Sequence, residues 1–346
     1  MPANLSPDYK KAETAFRAAR DDHERLTCLK EMLRTIPKHK GTENMQADIK
    51  SRIKDLSEDL AGPKKGAART GPVHTVRREG AAQIALLGPP NAGKSSLHVK
   101  LTHSRADVGP YPHTTHEPMP GMLPFEDVHF QLVDLPPVSV DYFETWLVNA
   151  LQPADAALLV VDLADPACAD DVTAILRHLD EKRITLTEHW PRSGVLQREL
   201  QADSDDEAAL DPFRMYLPTL LVANKVDLNP ALEDIGVLKE LTGIEFPAIA
   251  TSAQRGDQLD AIGRFLFEEL DVVRVYTKAP GKPAEMDRPF TVRRGATVLD
   301  VARLVHKDLA AGLKYARAWG SDVFDGQQVG PEHAVADRDV VELHMR

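Results

Sequence analysis

The segment Gly88-Pro89-Pro90-Asn91-Ala92-Gly93-Lys94-Ser95 constrains this chain more than any other. It follows the apolar run Gln83–Leu87 and opens a stretch of helical character. The spacing G-x-x-x-x-G-K-[ST] between a strand and a helix is that of a phosphate-binding P-loop. Its glycines let the backbone curl until successive N–H groups converge on an anion at the positive end of a helix. Lys94 is then placed to reach the β- and γ-phosphates, and the Ser95 hydroxyl to ligate Mg²⁺. Asn91, Ala92, Gly93, Lys94, Ser95 and Ser96 form the candidate phosphate site. A Gly-rich turn is the bland alternative for the pattern alone, and the flanking strand and helix signals count against it.

The surrounding pattern predicts an α/β fold. Apolar, β-rich runs at 83–87, 128–133, 156–161, 219–223 and 246–250 alternate with helical stretches. Such alternation predicts a doubly wound, mostly parallel sheet with helices on both faces and ligands at the carboxyl ends of the strands. Four regions follow. Residues 1–61 read as a helical arm, with Leu26, Leu29, Leu33 and Ile36 on one face of a helix over 8–36 and Ile49, Ile53, Leu56 and Leu60 on a second. Residues 62–80 are a basic linker carrying Lys64, Lys65, Arg69, Arg77 and Arg78. Residues 81–279 are the nucleotide domain, and its acidic run Asp203–Glu207 reads as a solvated loop, a partner-recognition insert being the alternative. Residues 280–346 form a small α+β module. There Phe290–Arg293 is a strand, Thr297 caps a helix burying Val298, Val301, Val305 and Leu309, and Asp339–Leu343 closes the sheet.

Charge and cysteine content narrow the functional classes. The net charge of −11 divides into about +5 for residues 1–80, −16 for 81–279 and 0 for 280–346. An acidic centre argues against indiscriminate nucleic-acid binding, and no DNA partner is expected. The basic arm has two readings, a hairpin packed against the next domain or a contact arm for RNA or a ribosome; the linker's basic residues read as solvated surface, with phosphate contact the alternative. No apolar run reaches the ~20 residues a membrane helix needs, so no membrane role is expected. Met1-Pro2-Ala3-Asn4 lacks a signal-peptide pattern, and two distant cysteines, Cys28 and Cys168, fit a reducing cytoplasm.

Three later motifs select the nucleotide. Asp134 ends the run Val128–Val133, at a strand tip where P-loop proteins hold Mg²⁺. Asn224-Lys225-Val226-Asp227 follows Leu220–Ala223. The N-K-x-D pattern reads guanine, because the Asp227 carboxylate accepts from N1–H and the exocyclic amine. Adenine would leave that carboxylate unpaired, which is costly in a closed site. Ser252-Ala253 fits the last motif, in which a backbone N–H meets the guanine oxygen. Order and spacing from 88 to 253 thus match a GTPase throughout.

With Gly88–Ser95, Tyr111-Pro112-His113-Thr114-Thr115, Asn224–Asp227 and Ser252-Ala253 in hand, the chain resembles the Obg/DRG (developmentally regulated GTP-binding) family of P-loop GTPases. Residues 288–345 resemble a TGS domain, a ubiquitin-like β-grasp module, in His306-Lys307-Asp308, Lys314–Gly320 and Gln328-Val329-Gly330. The resemblance extends to Ile36–Thr42 in the arm and covers most of the chain. It implies a cytoplasmic GTPase linked to ribosomes or translation, with the TGS module facing RNA or a partner. It also implies Thr115 as a Mg²⁺ ligand beside Ser95 and Asp134, and K⁺ held with the help of Asn91 as an aid to hydrolysis. Lys94, Asn91 and Thr115 are therefore the candidate catalytic groups. His113 and His116 read as ordinary loop histidines.

The chain departs from the resemblance at Asp134-Leu135-Pro136-Pro137, where the family pattern is Asp-x-x-Gly. That glycine gives its N–H to the γ-phosphate, and proline has none to give. One charge-assisted hydrogen bond is worth roughly 1.5–3 kcal/mol. Val138 stands where a Ras-like enzyme keeps its water-orienting Gln. Three readings follow: a slow Mg²⁺-dependent GTPase, a GTP/GDP-binding adaptor with little turnover, and an RNA-binding module carried on a G-domain scaffold.

Overall fold

A computed structural model describes residues 6–19, 22–37, 42–61, 76–103, 117–140, 143–144, 146–193, 213–228 and 233–345. The chain divides into two units, Met1–Val73 and His74–Arg346.

The first unit contains helices α1 (Pro7–Ala18), α2 (Asp22–Thr35) and α3 (Glu43–Ala61). The single helix expected over 8–36 is two. Ala19 is extended at φ −63°, ψ 131°, which ends α1; Leu26, Leu29 and Leu33 belong to α2 alone, and Ile36 follows its last residue. Ser6 caps α1 by accepting from the Tyr9 N–H at 3.2 Å, and its hydroxyl donates to the Thr35 carbonyl at 3.0 Å, tying the start of α1 to the end of α2. Tyr9, Leu29, Met32, Ile36 and Ile49 are buried between the three helices. The basic turn at 38–40 lies outside the described residues.

The second unit opens with strand β1 (Gln83–Leu87) and helix α4 (Lys94–Thr102). Then come β2 (Met119–Phe125), β3 (Val128–Asp134), α5 (Leu147–Leu151), β4 (Ala156–Asp162), α6 (Cys168–Glu181) and β5 (Ile184–Thr187). The domain continues through β6 (Met215–Asn224), α7 (Glu233–Thr242), β7 (Ala248–Ala250) and α8 (Leu259–Glu269). The sheet order is β2-β3-β1-β4-β6-β5, with β7 also on β6. Every pairing is parallel except β2 with β3.

Alternation along β1 explains the two cores. Ile84 and Leu86 face Leu97, Ile262 and Leu266 of α4 and α8, while Ala85 and Leu87 face Val172, Ile175 and Leu238 of α6 and α7. Burial on both faces accounts for the continuous apolar runs of β1, β4 and β6. Because β1 lies between β3 and β4, its carboxyl end opens at the crevice where successive connections diverge. That is where Gly88 begins.

Strands β8 (Val272–Thr277), β9 (Glu285–Arg293), β10 (Leu313–Gly320), β11 (Val323–Val329) and β12 (Asp339–Met345) form a second sheet in the order β11-β10-β12-β8-β9. Its strand pairing begins at Val272, ahead of the compositional boundary at 280. Helix α9 (Val298–Val305) covers this sheet and α10 (Lys307–Gly312) follows it. Thr297 caps α9 in a capping box with Asp300. Val298 and Val301 are fully buried; Val305 and Leu309 are only half-buried.

The two sheets are joined at the β2–β3 turn. The Arg274 guanidinium, its side chain 5% exposed, donates to Asp337 from Nε at 3.0 Å and Nη2 at 2.6 Å. Its Nη1 donates to Glu126 at 2.5 Å and to Asp127 at 3.0 Å. It also lies 4.8 Å from the Phe267 ring centroid, and the Tyr276 hydroxyl donates to Asp127. Against the upward push of burial, Tyr276 and Arg274 hold the Asp127 carboxyl below its ordinary range. Arg78 of the linker pairs with Asp155, which Arg293 of β9 also approaches at 3.2 Å.

Candidate nucleotide site

The P-loop is shaped by close backbone approaches. Gly88 (φ 149°) passes so near β4 that a Cβ there would sit 2.2 Å from the Val160 carbonyl oxygen. Gly93 is left-handed (φ 89°), caps α4, and would place a Cβ 2.3 Å from Asn224 Nδ2. Asn91 is also left-handed (φ 59°) and exposed. Only this curl lets the loop turn sharply into α4, presenting its N–H groups at the helix N-terminus.

Lys94, the first residue of α4, is buried, and its Nζ donates to the carbonyls of Gly88 at 3.0 Å and Pro89 at 2.9 Å. Burial pushes its pKa down to about 8, with the Asp134 charge opposing. Ser95 donates through Oγ to Asp134 Oδ2 at 2.6 Å, so the hydroxyl from α4 and the carboxylate from β3 meet. Ser96 lies in the same first turn, half-buried.

This oxygen pair is the chemistry a hard divalent cation takes: one hydroxyl and one carboxylate beside the phosphate cradle, with water filling the rest. Ser95 and Asp134 therefore fit Mg²⁺. Among the described residues there is no group of three or more His, Cys, Asp or Glu side chains arranged to hold a metal. Thr115, with Tyr111–Thr114 and His116, lies outside the described residues.

The residues expected to read the base come together from the end of β6 and the loop after β7. Asn224 braces the site: its Nδ2 donates to the Ala92 carbonyl at 3.0 Å, and its Oδ1 accepts from the Ala253 N–H at 3.0 Å. Asp227 accepts from the Ser252 hydroxyl, which holds its carboxyl below the usual range. Ser252 Oγ in turn accepts from the Arg255 N–H at 3.1 Å. Lys225 (φ 63°) extends its stem over Gly93, with Cε 3.8 Å from the position of a Cβ there. Asn91, Ala92, Gly93, Lys94, Ser95, Asp134, Asn224, Lys225, Asp227, Ser252 and Ala253 thus gather at the carboxyl ends of β1, β3, β6 and β7.

Two participants were not singled out from the sequence as site residues. Asp162, at the end of β4, pairs with Lys225, its Oδ2 2.9 Å from Nζ. Its one sequence signal is an acidic residue ending an apolar run. Val138, expected only at an apolar position of the switch, donates its N–H to the Gly88 carbonyl at 3.1 Å. Leu135, Pro136, Pro137 and Val138 are all buried, and Val138 packs in the core with Leu135, Leu147 and Leu159.

Residues 83–190 match the family described as 50S ribosome-binding GTPase, and residues 273–345 match the TGS domain. An uncharacterised GTP-binding protein of Methanocaldococcus jannaschii is 29% identical, the match covering 92% of each chain. Developmentally-regulated G-protein 1 of Arabidopsis thaliana is 28% identical over 90% of this chain and 88% of that protein. The YchF GTPase of Schizosaccharomyces pombe, at 14% identity, shares the fold with a TM-score of 0.53 over 79% of this chain and all of that one.

Proposed function

Starting from a GTP-binding protein of the developmentally regulated type, with a P-loop GTPase fold and a C-terminal TGS domain, we propose that it binds GTP and GDP with Mg²⁺ and hydrolyses GTP slowly. The observation that carries this reading is the Ser95–Asp134 contact beside Lys94, with Asn224 bonded to both the P-loop and Ala253.

Backbone N–H groups of Asn91–Ser95 and the Lys94 ammonium hold the phosphates and oppose charge developing on them. Ser95, Asp134 and Thr115 are the proposed Mg²⁺ ligands; the bound ion supplies neutralisation of the phosphate oxygens. Asp227 reads the guanine edge, supported by Ser252 and Lys225. Hydrolysis is slow because Val138 is apolar and buried where a polar side chain would orient water. Asn91, exposed and without a hydrogen-bond partner among the described residues, is the proposed K⁺-assisting group.

The Val138–Gly88 tether supports a second reading, a GTP/GDP-binding adaptor with little turnover. Pro136 and Pro137 lack N–H groups, and the next N–H is already used by Gly88. Ribosome or RNA contact through the TGS domain and basic arm, in the cytoplasm, completes the proposal. Support for the ribosome is the description of the family that residues 83–190 match, 50S ribosome-binding GTPase; the free thiols of Cys28 and Cys168 fit a reducing compartment. Multiple-turnover GTP hydrolysis is to be measured with Mg²⁺ in K⁺ or Na⁺, with and without ribosomes. Turnover in any arm supports the first reading. Tight GTP binding with none in every arm leaves the adaptor. Ribosome or RNA binding indifferent to nucleotide, without guanine selectivity, would instead favour the G domain as scaffold.

A further inference from the structure

We propose that Asp162 is a positioning residue for the guanine-nucleotide site, holding Lys225 across the P-loop before nucleotide arrives; this deepens the nucleotide reading above and rests on it. Asp162 and Asn224 are Cα partners on adjacent parallel strands, so Asp162 lies beside the start of the base-reading loop. Its two carboxylate oxygens have separate tasks. Oδ1 accepts the Ala164 N–H at 3.0 Å, fixing the carboxylate to its own turn, and Oδ2 accepts from Lys225 Nζ at 2.9 Å.

Lys225 needs such a partner. Its backbone is left-handed at φ 63°, a conformation that costs a residue with a Cβ of order 1 kcal/mol or more. That conformation is fixed by a turn in which the Leu228 N–H donates to the Lys225 carbonyl at 2.9 Å and the Val226 N–H donates to the Thr251 carbonyl at 3.2 Å. The turn sends the side chain back over Gly93, and the methylene stem would otherwise sample many rotamers. Lys225 and Asp162 side chains are 30% and 17% exposed, so the pair is partly shielded and its geometry is set from both ends. The carboxylate thus acts through Lys225 on the nucleotide and touches no phosphate in this role.

The test uses the full chain and release of a fluorescent GDP, followed by stopped flow, for wild type, Asp162→Asn, Lys225→Met and the double variant. Asp162→Asn keeps an oxygen for the Ala164 N–H, so the fold is retained, as an unchanged thermal midpoint of the nucleotide-free chain checks. A partly exposed ion pair sets the expected scale: about three- to fivefold faster release. The same factor is expected for GTP, because the pair lies on the base side of the site. In the Lys225→Met background the Asp162→Asn change should add nothing. Unchanged release, or the same acceleration with and without Lys225, overturns the proposal. Failure of the wild-type chain to bind GDP overturns the nucleotide reading and this inference with it. If Asp162→Asn lowers the thermal midpoint and accelerates release independently of Lys225, the role is structural and the proposal falls.

Discussion

The backbone N–H of Val138 is bonded to the carbonyl of Gly88 at 3.1 Å, so the segment that follows β3 is tied to the first residue of the P-loop. The tie is reinforced by burial of the Val138 side chain in the core beneath β1 and β3. A segment held this way has a fixed position to lose before it can follow a phosphate. Where Asp-x-x-Gly offers the γ-phosphate a free N–H, this chain offers two prolines and an N–H already committed.

Pro137→Gly is expected to restore a donor at that point. One added charge-assisted hydrogen bond would raise the GTP-over-GDP affinity ratio by about tenfold or more. Equilibrium titration with both nucleotides reads the ratio directly, and an unchanged value would show that the missing N–H is not what limits discrimination.

Asp227→Asn replaces the acceptor proposed to face the guanine edge while leaving an oxygen for the Ser252 hydroxyl. Guanine nucleotides should lose about a hundredfold in affinity and xanthine nucleotides should gain. Competition between GDP and xanthosine diphosphate measures the exchange. Retained guanine preference would remove Asp227 from the role.

Lys94 gives the site a pH dependence whose sign follows from its lowered pKa of about 8. Above that pH the empty site holds a neutral amine, whereas bound phosphates favour the ammonium, so binding must take up a proton. GDP affinity should therefore be steady near pH 7 and fall as pH rises through 8, toward tenfold per pH unit. Calorimetry at pH 8.5 in buffers of different ionisation enthalpy should register that uptake. None should be seen at pH 6.8, where the lysine is already protonated.

Arg274→Met removes the cation from a cluster of three carboxylates, and its 5% exposure leaves little water to replace it. Because Glu126, Asp127 and Asp337 are themselves partly exposed, the expected loss is roughly 2–4 kcal/mol. Tyr276→Phe, which deletes one hydrogen bond to Asp127, should cost about 1 kcal/mol. Urea denaturation of the two variants checks both values and their order.

What could be read from residues alone was what is local. The apolar runs of β1, β3, β4 and β6 are buried on both faces and therefore announce themselves. Gly88–Ser95 and Asn224–Asp227 carry their chemistry within a few residues, and the Thr297–Asp300 capping box repeats a short spacing. Strand β2 is hidden in the sequence because Pro120, Gly121 and Pro124 argue against a strand, and they are tolerated only because β2 is an antiparallel sheet edge. Strand β11 is equally hidden, because Asp325, Gly326, Gln327 and Gln328 conceal its alternation. The Val138–Gly88 and Asp162–Lys225 contacts join residues far apart in sequence, and no local spacing encodes them.

The placement of β8 bears on how this chain can be divided. Composition suggests a cut at 280, but β9 and β12 are the strands that flank β8 in the second sheet. A fragment ending at 279 would keep Val272–Thr277 with neither hydrogen-bonding neighbour, presenting an apolar ladder open on both sides to any passing strand. Such a fragment should aggregate for reasons unrelated to nucleotide or RNA. Deletions meant to isolate the TGS domain's contribution belong before Val272, and even there they leave Glu126 and Asp127 without Arg274. Loss of activity on excision would then report orphaned carboxylates as readily as a lost binding surface, whereas point changes on an intact chain keep the two apart.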